Sequence, residues 1–294
     1  MHSQNISTKK PGLVLFLIDQ SSSMLHGWGG DRDASKSQLA ADALNKTLYD
    51  LALNACMKDG RPVDRVHIGA YYYSDSSARW AIDTISEGKG WATAQDWVPG
   101  YHHIDKIPVS SDGNEVIEQE IPVWFFPDAG GWTPMIAALN KASKVVKSHV
   151  TEFPDSYPPI VINISDGCQT DGDFDDLIRA AKGVKSAATN DGDSLLLNIQ
   201  ITEHNHSPMV FPTLSQTTGS PQEVLSMAEA SSVLPANMLV EAKKVGMNLQ
   251  EGAKGLILDA DWTLLTRFLR IGTTLNTEVA KPTGLLTSGT EVEA

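Results

Sequence analysis

Asp19, Ser21 and Ser23 stand at alternate positions in the stretch LIDQSSSM, where an apolar run stops at a carboxylate and hydroxyls follow at once. Thr133, in GGWTPM, and Asp166, in ISDG, supply the same groups further along the chain. Two carboxylates and three hydroxyls are hard oxygen donors, with no His or Cys among them. Such a set favours Mg²⁺, Mn²⁺ or Ca²⁺ over zinc. Mg²⁺ keeps several of its waters, so few protein ligands suffice. An incomplete shell leaves a position that a partner's Asp or Glu can fill.

These residues can meet only if the fold carries them to one place. Residues 13–19, LVLFLID, form a continuous apolar run, and PPIVINISDG repeats the pattern. Runs of this kind suit strands buried on both faces, as in a parallel sheet covered by helices. Both end on an aspartate. In open parallel sheets the ligand site lies beyond the carboxyl ends of the strands, so Asp19 and Asp166 are expected on one edge. Thr133 is expected at the N-cap of a helix, with Pro134 in its first position.

The remaining periodicity agrees with that frame. Helical spacing marks residues 35–57 through Leu44, Leu48, Leu51 and Ala55, and residues 133–150 through Ile136, Leu139, Val146 and Val150. Phe174, Leu177, Ala181 and Val184 mark another helix. Residues 65–74 and 78–83 read as a hairpin through Asp75 and Ser76, and SLLLNIQIT and KGLILDA as further strands. Short helices are expected between Gln222 and Lys244, and a last one in DWTLLTRFLRIG. Strands alternating with helices give an α/β fold: Rossmann-like and doubly wound, with a mostly parallel central sheet and helices on both faces. The domain is expected over 11–272. Within it, 86–127 reads as an inserted β-hairpin, with KIPV and EIPVW flanking an Asp112-Gly113 turn. Residues 1–10 and 273–294 read as flexible termini.

Composition narrows the function. The chain has 294 residues, 41% hydrophobic and 20% charged, enough for a substantial core. A net charge of −13 argues against a nucleic-acid partner, which would need a basic face. Two cysteines make no disulfide framework. The polar N-terminus reads as no signal peptide, and no apolar stretch is long enough for a membrane span. The expectation is a cytoplasmic protein with no membrane partner.

The loops DQSSSM, GGWTPM and SDG, in this order and strand context, resemble those of the von Willebrand factor A (vWA) domain and its metal-ion-dependent adhesion site (MIDAS). The resemblance carries that site's Asp-x-Ser-x-Ser, Thr and Asp onto Asp19, Ser21, Ser23, Thr133 and Asp166. Ser22 stands where the family commonly has Gly, and Trp132 beside Thr133 is a second departure. IPVWFFPDAGGWTPMIAAL and GLILDADWTLLTRFL further resemble bacterial cytosolic A-domain proteins of the tellurium-resistance-associated type. Those are typically encoded beside a Ser/Thr kinase and a metal-dependent Ser/Thr phosphatase. The resemblance implies a non-enzymatic protein–protein interaction module that works through Mg²⁺ (or Mn²⁺/Ca²⁺) in signalling or stress response.

Two alternatives stand beside it. One is a Mg²⁺-dependent phosphohydrolase or phosphotransferase of the haloacid dehalogenase type, but Ser21 occupies the place where those enzymes need a second Asp. The other is a structural subunit with a stabilising metal. Further features have plainer readings. Asp171 to Asp176 (DGDFDD) suits a helix cap. His102, His103, His204 and His206 suit polar contacts, and Cys168 a buried free thiol. Trp91, Trp97, Trp124 and Trp132 form either a partner-binding rim or a satellite core under the hairpin.

Overall fold

A computed structural model describes residues 2–27, 34–112, 115–201 and 207–276. Strand β1 (Gly12–Asp19) leads through a 3₁₀ turn at Ser22–Leu25 to helix α1 (Lys36–Leu51). A π turn (Ala52–Cys56) and the small pair β2 (Met57–Lys58) and β3 (Arg61–Pro62) return the chain to β4 (Val66–Ser74) and β5 (Ser77–Trp80). The one-turn helix α2 (Ala94–Trp97) precedes the hairpin of β6 (His103–Asp112) and β7 (Glu115–Val123). Next come α3 (Met135–Glu152), β8 (Ile160–Ser165), α4 (Phe174–Lys185), the pair β9 (Ala188–Thr189) and β10 (Gly192–Asp193), and β11 (Leu195–Ile201). The chain closes with β12 (Met209–Val210), α5 (Gln222–Ala230), α6 (Ala236–Lys244), β13 (Leu256–Ala260) and α7 (Trp262–Gly272).

The central sheet runs β12-β13-β11-β8-β1-β4-β5. Its five inner strands are parallel, and only β12 and β5, at the edges, are antiparallel. This is the doubly wound α/β arrangement that the alternating strands and helices imply. The chain moves from β1 to β4 on one side and then returns to β8 on the other, so the strand order reverses at β1. Side chains along a strand alternate between faces, and β1 shows the result. Val14, Phe16 and Ile18 join one core with Leu44 of α1 and Phe268 of α7. Leu13, Leu15 and Leu17 join the other with Leu139 of α3 and Leu177 of α4.

A polar line crosses this apolar sheet. Tyr73 donates its hydroxyl to Asn163 Oδ1 at 2.9 Å, reaching over β1. Asn163 Nδ2 donates to Asn198 Oδ1 at 3.1 Å, and Asn198 Nδ2 to Ser231 Oγ at 2.8 Å. All four residues are buried.

The inserted hairpin packs on α1, with Ile107, Ile121 and Val123 gathered against Tyr49. Gly113 of its expected turn lies outside the described residues, as do His204 and His206. Asn45 of α1 anchors the exit from the hairpin. Its Oδ1 accepts from the N–H groups of Trp124 (2.8 Å) and Phe125 (2.9 Å), and its Nδ2 donates to the Phe125 carbonyl (3.0 Å). Of the four tryptophans weighed as rim or core, Trp91, Trp97 and Trp124 are buried, while Trp132 is 70% exposed. The described part of the expected loose termini is docked. Ser3 and Gln4 bond the Asp191 carboxylate through their N–H groups, and Ile6 is buried and bonds the Asn276 carbonyl. No helix among the described residues is long and apolar enough to cross a membrane.

At the opposite end of the sheet from Asp19, His67 bridges Asp64 and His149. Its Nε2 lies 3.3 Å from Asp64 Oδ2, and its Nδ1 lies 3.1 Å from His149 Nε2. Burial, and then the neighbouring His67, hold the His149 imidazole well below its ordinary pKa. A group charged less readily when folded stabilises above its unfolded pKa, about 6.5, and that stability is lost as pH falls through and below it. Thermal melts from pH 8 to pH 5 are therefore expected to show a shallower loss of stability for His149→Phe than for wild type. The comparison isolates this group from carboxylates titrating nearby. Asn45→Ala leaves three buried backbone groups without partners and is expected to lower unfolding free energy by about 2–4 kcal/mol, read by urea titration.

Candidate metal centre

Asp19 is the last residue of β1, paired in register with Tyr73 of β4, and Asp166 directly follows β8 on the other side. Both aspartates thus emerge at the carboxyl edge, at the strand where the order reverses. The loop after β1 turns at once. Ser21 N–H donates to Asp19 Oδ1 at 2.7 Å, a tight local turn that fixes the carboxylate's direction. Met24, fully buried, pins the following 3₁₀ turn to the core. The Ser21 side chain makes no capping bond to that turn and faces its neighbours instead.

The hydroxyls and carboxylates form one chain of contacts. Ser21 Oγ lies 3.1 Å from Ser23 Oγ, and Ser23 donates to Asp166 Oδ1 at 2.7 Å. Asp166 Oδ2 receives the Lys36 ammonium at 2.5 Å. Four of the five residues singled out by their spacing are therefore joined directly. Thr133 belongs to the adjoining loop, buried and held by its backbone: its N–H donates to Thr170 Oγ1 and its carbonyl accepts from Thr170 N–H, each at 3.0 Å.

The two loops are stapled together. Ser22 N–H donates to the Gly131 carbonyl at 3.1 Å, and Gly131 N–H donates to Ser22 Oγ at 2.9 Å. Gly130 N–H donates to the Gln20 carbonyl at 2.6 Å. Ser22, the departure from the resembled motif, thus has work for its hydroxyl that glycine could not do. Gly131 has φ +87°, and a Cβ there would run into the Asp75 carboxylate.

Thr133 is not the N-cap. Helix α3 begins at Met135, Pro134 takes the cap position, and no side chain of that residue caps it. The task falls to Asp171, whose carboxylate accepts from Ile136 N–H (3.1 Å) and Ala137 N–H (2.8 Å). An anion at a helix N-terminus satisfies orphan donors and complements the dipole. Asp173 caps α4 in a reciprocal box with Asp176. The acidic run is thus used for capping, as its spacing suggested, but on two helices. Cys168 is half-buried and free, and burial raises its pKa.

The electrostatics favour a cation. Asp19 is fully buried, and its Oδ2 has no hydrogen-bond partner among the described residues. Burial, reinforced by the nearby Asp166 charge, pushes its pKa up to about 7 against hydrogen bonds from Ser21 and from the Asp166 backbone. A buried carboxylate in this condition is stabilised by a proton or by a positive ion. The donor set fits a hard divalent ion: every candidate atom is oxygen, two groups are anionic, and one anionic oxygen is unpartnered. Among the described residues no three His, Cys, Asp or Glu side chains gather to hold a metal, so a site here must draw on hydroxyls as well.

Sequence reasoning missed Lys36, Thr170 and the capping role of Asp171. Lys36 did leave a signal. It is the first residue of α1, directly after N-cap Ser35, where the helix dipole disfavours a cation.

No protein-family model matches the sequence, and no curated protein matches it. Among solved structures the chain is similar to a von Willebrand factor type A protein from Catenulispora acidiphila, at 16% identity and TM-score 0.45, over 89% of this chain and 41% of that one. It is similar to the PilB minor pilin from Streptococcus sanguinis, at 10% identity and TM-score 0.48, over 91% and 61% respectively. It is also similar to the manganese-loaded TRAP protein of Plasmodium vivax, at 16% identity and TM-score 0.37, over 67% and 59%. This chain spans less than two thirds of each of these proteins.

The staple yields a test. Gly131→Ala combines a left-handed backbone with a clash against Asp75 and is expected to lower unfolding free energy by about 1–3 kcal/mol. Adding Asp75→Gly should recover part of that loss, since it removes the carboxylate clash and leaves the tight approach to the backbone nitrogen of residue 75 and the Gly131 backbone constraint. Urea titration of the single and double variants reads both effects.

Proposed function

We propose that this chain is a non-enzymatic protein-interaction module. Asp19, Ser21, Ser23, Thr133 and Asp166 hold a divalent cation, Mg²⁺ or else Mn²⁺ or Ca²⁺, at the carboxyl edge of the sheet. The ion, when bound, offers an open coordination position to an Asp or Glu of a partner protein. The observation that carries this reading is the unpartnered, buried Oδ2 of Asp19 beside the linked hydroxyls of Ser21 and Ser23 and the Asp166 carboxylate.

The loops around the centre support a docking role. Leu25, two residues past Ser23, is 58% exposed, and Trp132 next to Thr133 is also exposed. An exposed tryptophan is among the residues that typically carry interface energy. Ser21 standing where a phosphoryl-transfer enzyme of the haloacid dehalogenase type needs a second aspartate favours binding over catalysis. The resemblance to tellurium-resistance-associated proteins suggests a bacterial signalling or stress-response setting, with a Ser/Thr kinase or metal-dependent phosphatase as the partner.

The test is an affinity capture from native lysate in Mg²⁺ and in EDTA, with wild type beside Asp19→Ala. The expected result is a partner retained by wild type in Mg²⁺ and lost both in EDTA and with Asp19→Ala, while circular dichroism shows the variant folded. A partner retained in all conditions would refute metal-mediated docking.

A further inference from the structure

The two carboxylates of the centre are not equivalent. Asp166 has both oxygens engaged, one by the Ser23 hydroxyl at 2.7 Å and one by the Lys36 ammonium at 2.5 Å. The Asp19 Oδ2 has no partner among the described residues. Lys36 is only 3% exposed, and the Asp166 side chain 1%. Lys36 also stands at the first position of α1, against the helix dipole. A lysine buried at that end of a helix needs an anion, and Asp166, directly after β8, provides it.

We infer that Lys36 is a tethered counter-cation of the metal centre. It neutralises Asp166 in the metal-free protein, opposes the entry of a divalent ion, and sets the charge of the loaded site. This inference rests on the metal-binding reading above. With both aspartates ionised, as a bound cation would hold them, Asp19, Asp166 and Lys36 together carry a single negative charge. A divalent ion converts that to a single positive charge, which one carboxylate from a partner cancels. Without Lys36 the two aspartates would by themselves balance the ion, and the loaded site would exert no net pull on an acidic partner. Charges a few ångströms apart in a water-poor site repel strongly, so Lys36 keeps metal affinity low until a partner's carboxylate arrives. Binding of the ion and of the acid are thereby coupled, and such coupling is reciprocal.

The experiment is isothermal titration of the full chain with MgCl₂ and, separately, MnCl₂. Wild type is compared with Lys36→Met, Lys36→Gln and Lys36→Arg. Removing the charge is expected to tighten metal binding on the order of tenfold or more, whereas Lys36→Arg, which keeps it, stays near wild type. Thermal melts provide the second readout: Lys36→Met melts lower than wild type without metal and regains the difference when Mg²⁺ is added. A merely structural lysine would not tighten metal binding when neutralised. Unchanged or weaker metal affinity in both neutral variants overturns the inference and leaves the metal centre standing. Absence of metal binding in wild type and in every variant overturns both. Lys36→Gln keeps the test decisive if Lys36→Met does not fold.

Discussion

Strand β1 is bonded in parallel register on both sides, to β4 and to β8. The two cores and the cluster of Asp19, Ser21, Ser23 and Asp166 all depend on that pairing. Its alternate side chains supply the centre of each core layer, so neither layer packs without it. Its carboxyl end must face the turn after β8, because parallel neighbours end on the same edge. Asp19 and Asp166 meet for that reason, although they lie far apart in the chain and share no local structure. The reversal of strand order at β1 opens the crevice in which ligands of such sheets are held.

The edge it creates breaks two local rules at once. Among the described residues one oxygen of a buried carboxylate has no hydrogen-bond partner, and a lysine begins a helix. Each lowers stability by itself, and the Ser22–Gly131 contacts tie the two loops of this edge together. Broken preferences are not confined to this edge: Phe211 takes a left-handed backbone, and the buried His149 Nδ1 has no hydrogen-bond partner among the described residues. The caps of α1, α4 and α7 and the alternation along the strands agree with the fold.

Much of this was legible in the amino-acid order. Apolar runs ending on Asp19 and Asp166 announced buried parallel strands, and the 3.6-residue spacing in α1, α3 and α4 announced their helices. Ser35, where the first periodic run begins, caps α1. What escaped was set by tertiary geometry. Thr133 looks like an N-cap because Thr-Pro favours one, yet Asp171 from another loop reaches the helix end and takes that role. Trp91, Trp97 and Trp124 could not be assigned to core or rim, since tertiary packing decides it: Trp97 and Trp124 cover each other on the α1 side, while Trp91 packs on His67 and His149 on the α3 side. Lys36 carries no motif. Its significance comes from a partner 130 residues away.

The buried line from Tyr73 through Asn163 and Asn198 to Ser231 has a different consequence. The inner strands are almost uniformly aliphatic, and a strand of that composition slid along its neighbour by two residues would keep its apolar faces covered. Hydrophobic burial alone distinguishes such slipped pairings poorly. The polar line does distinguish them. Any slip of β8 or β11 would separate amide from amide and leave several donors and acceptors stranded in an apolar interior. The native register is therefore the one that satisfies all four side chains, and the same β1–β8 register sets Asp19 and Asp166 level at the edge.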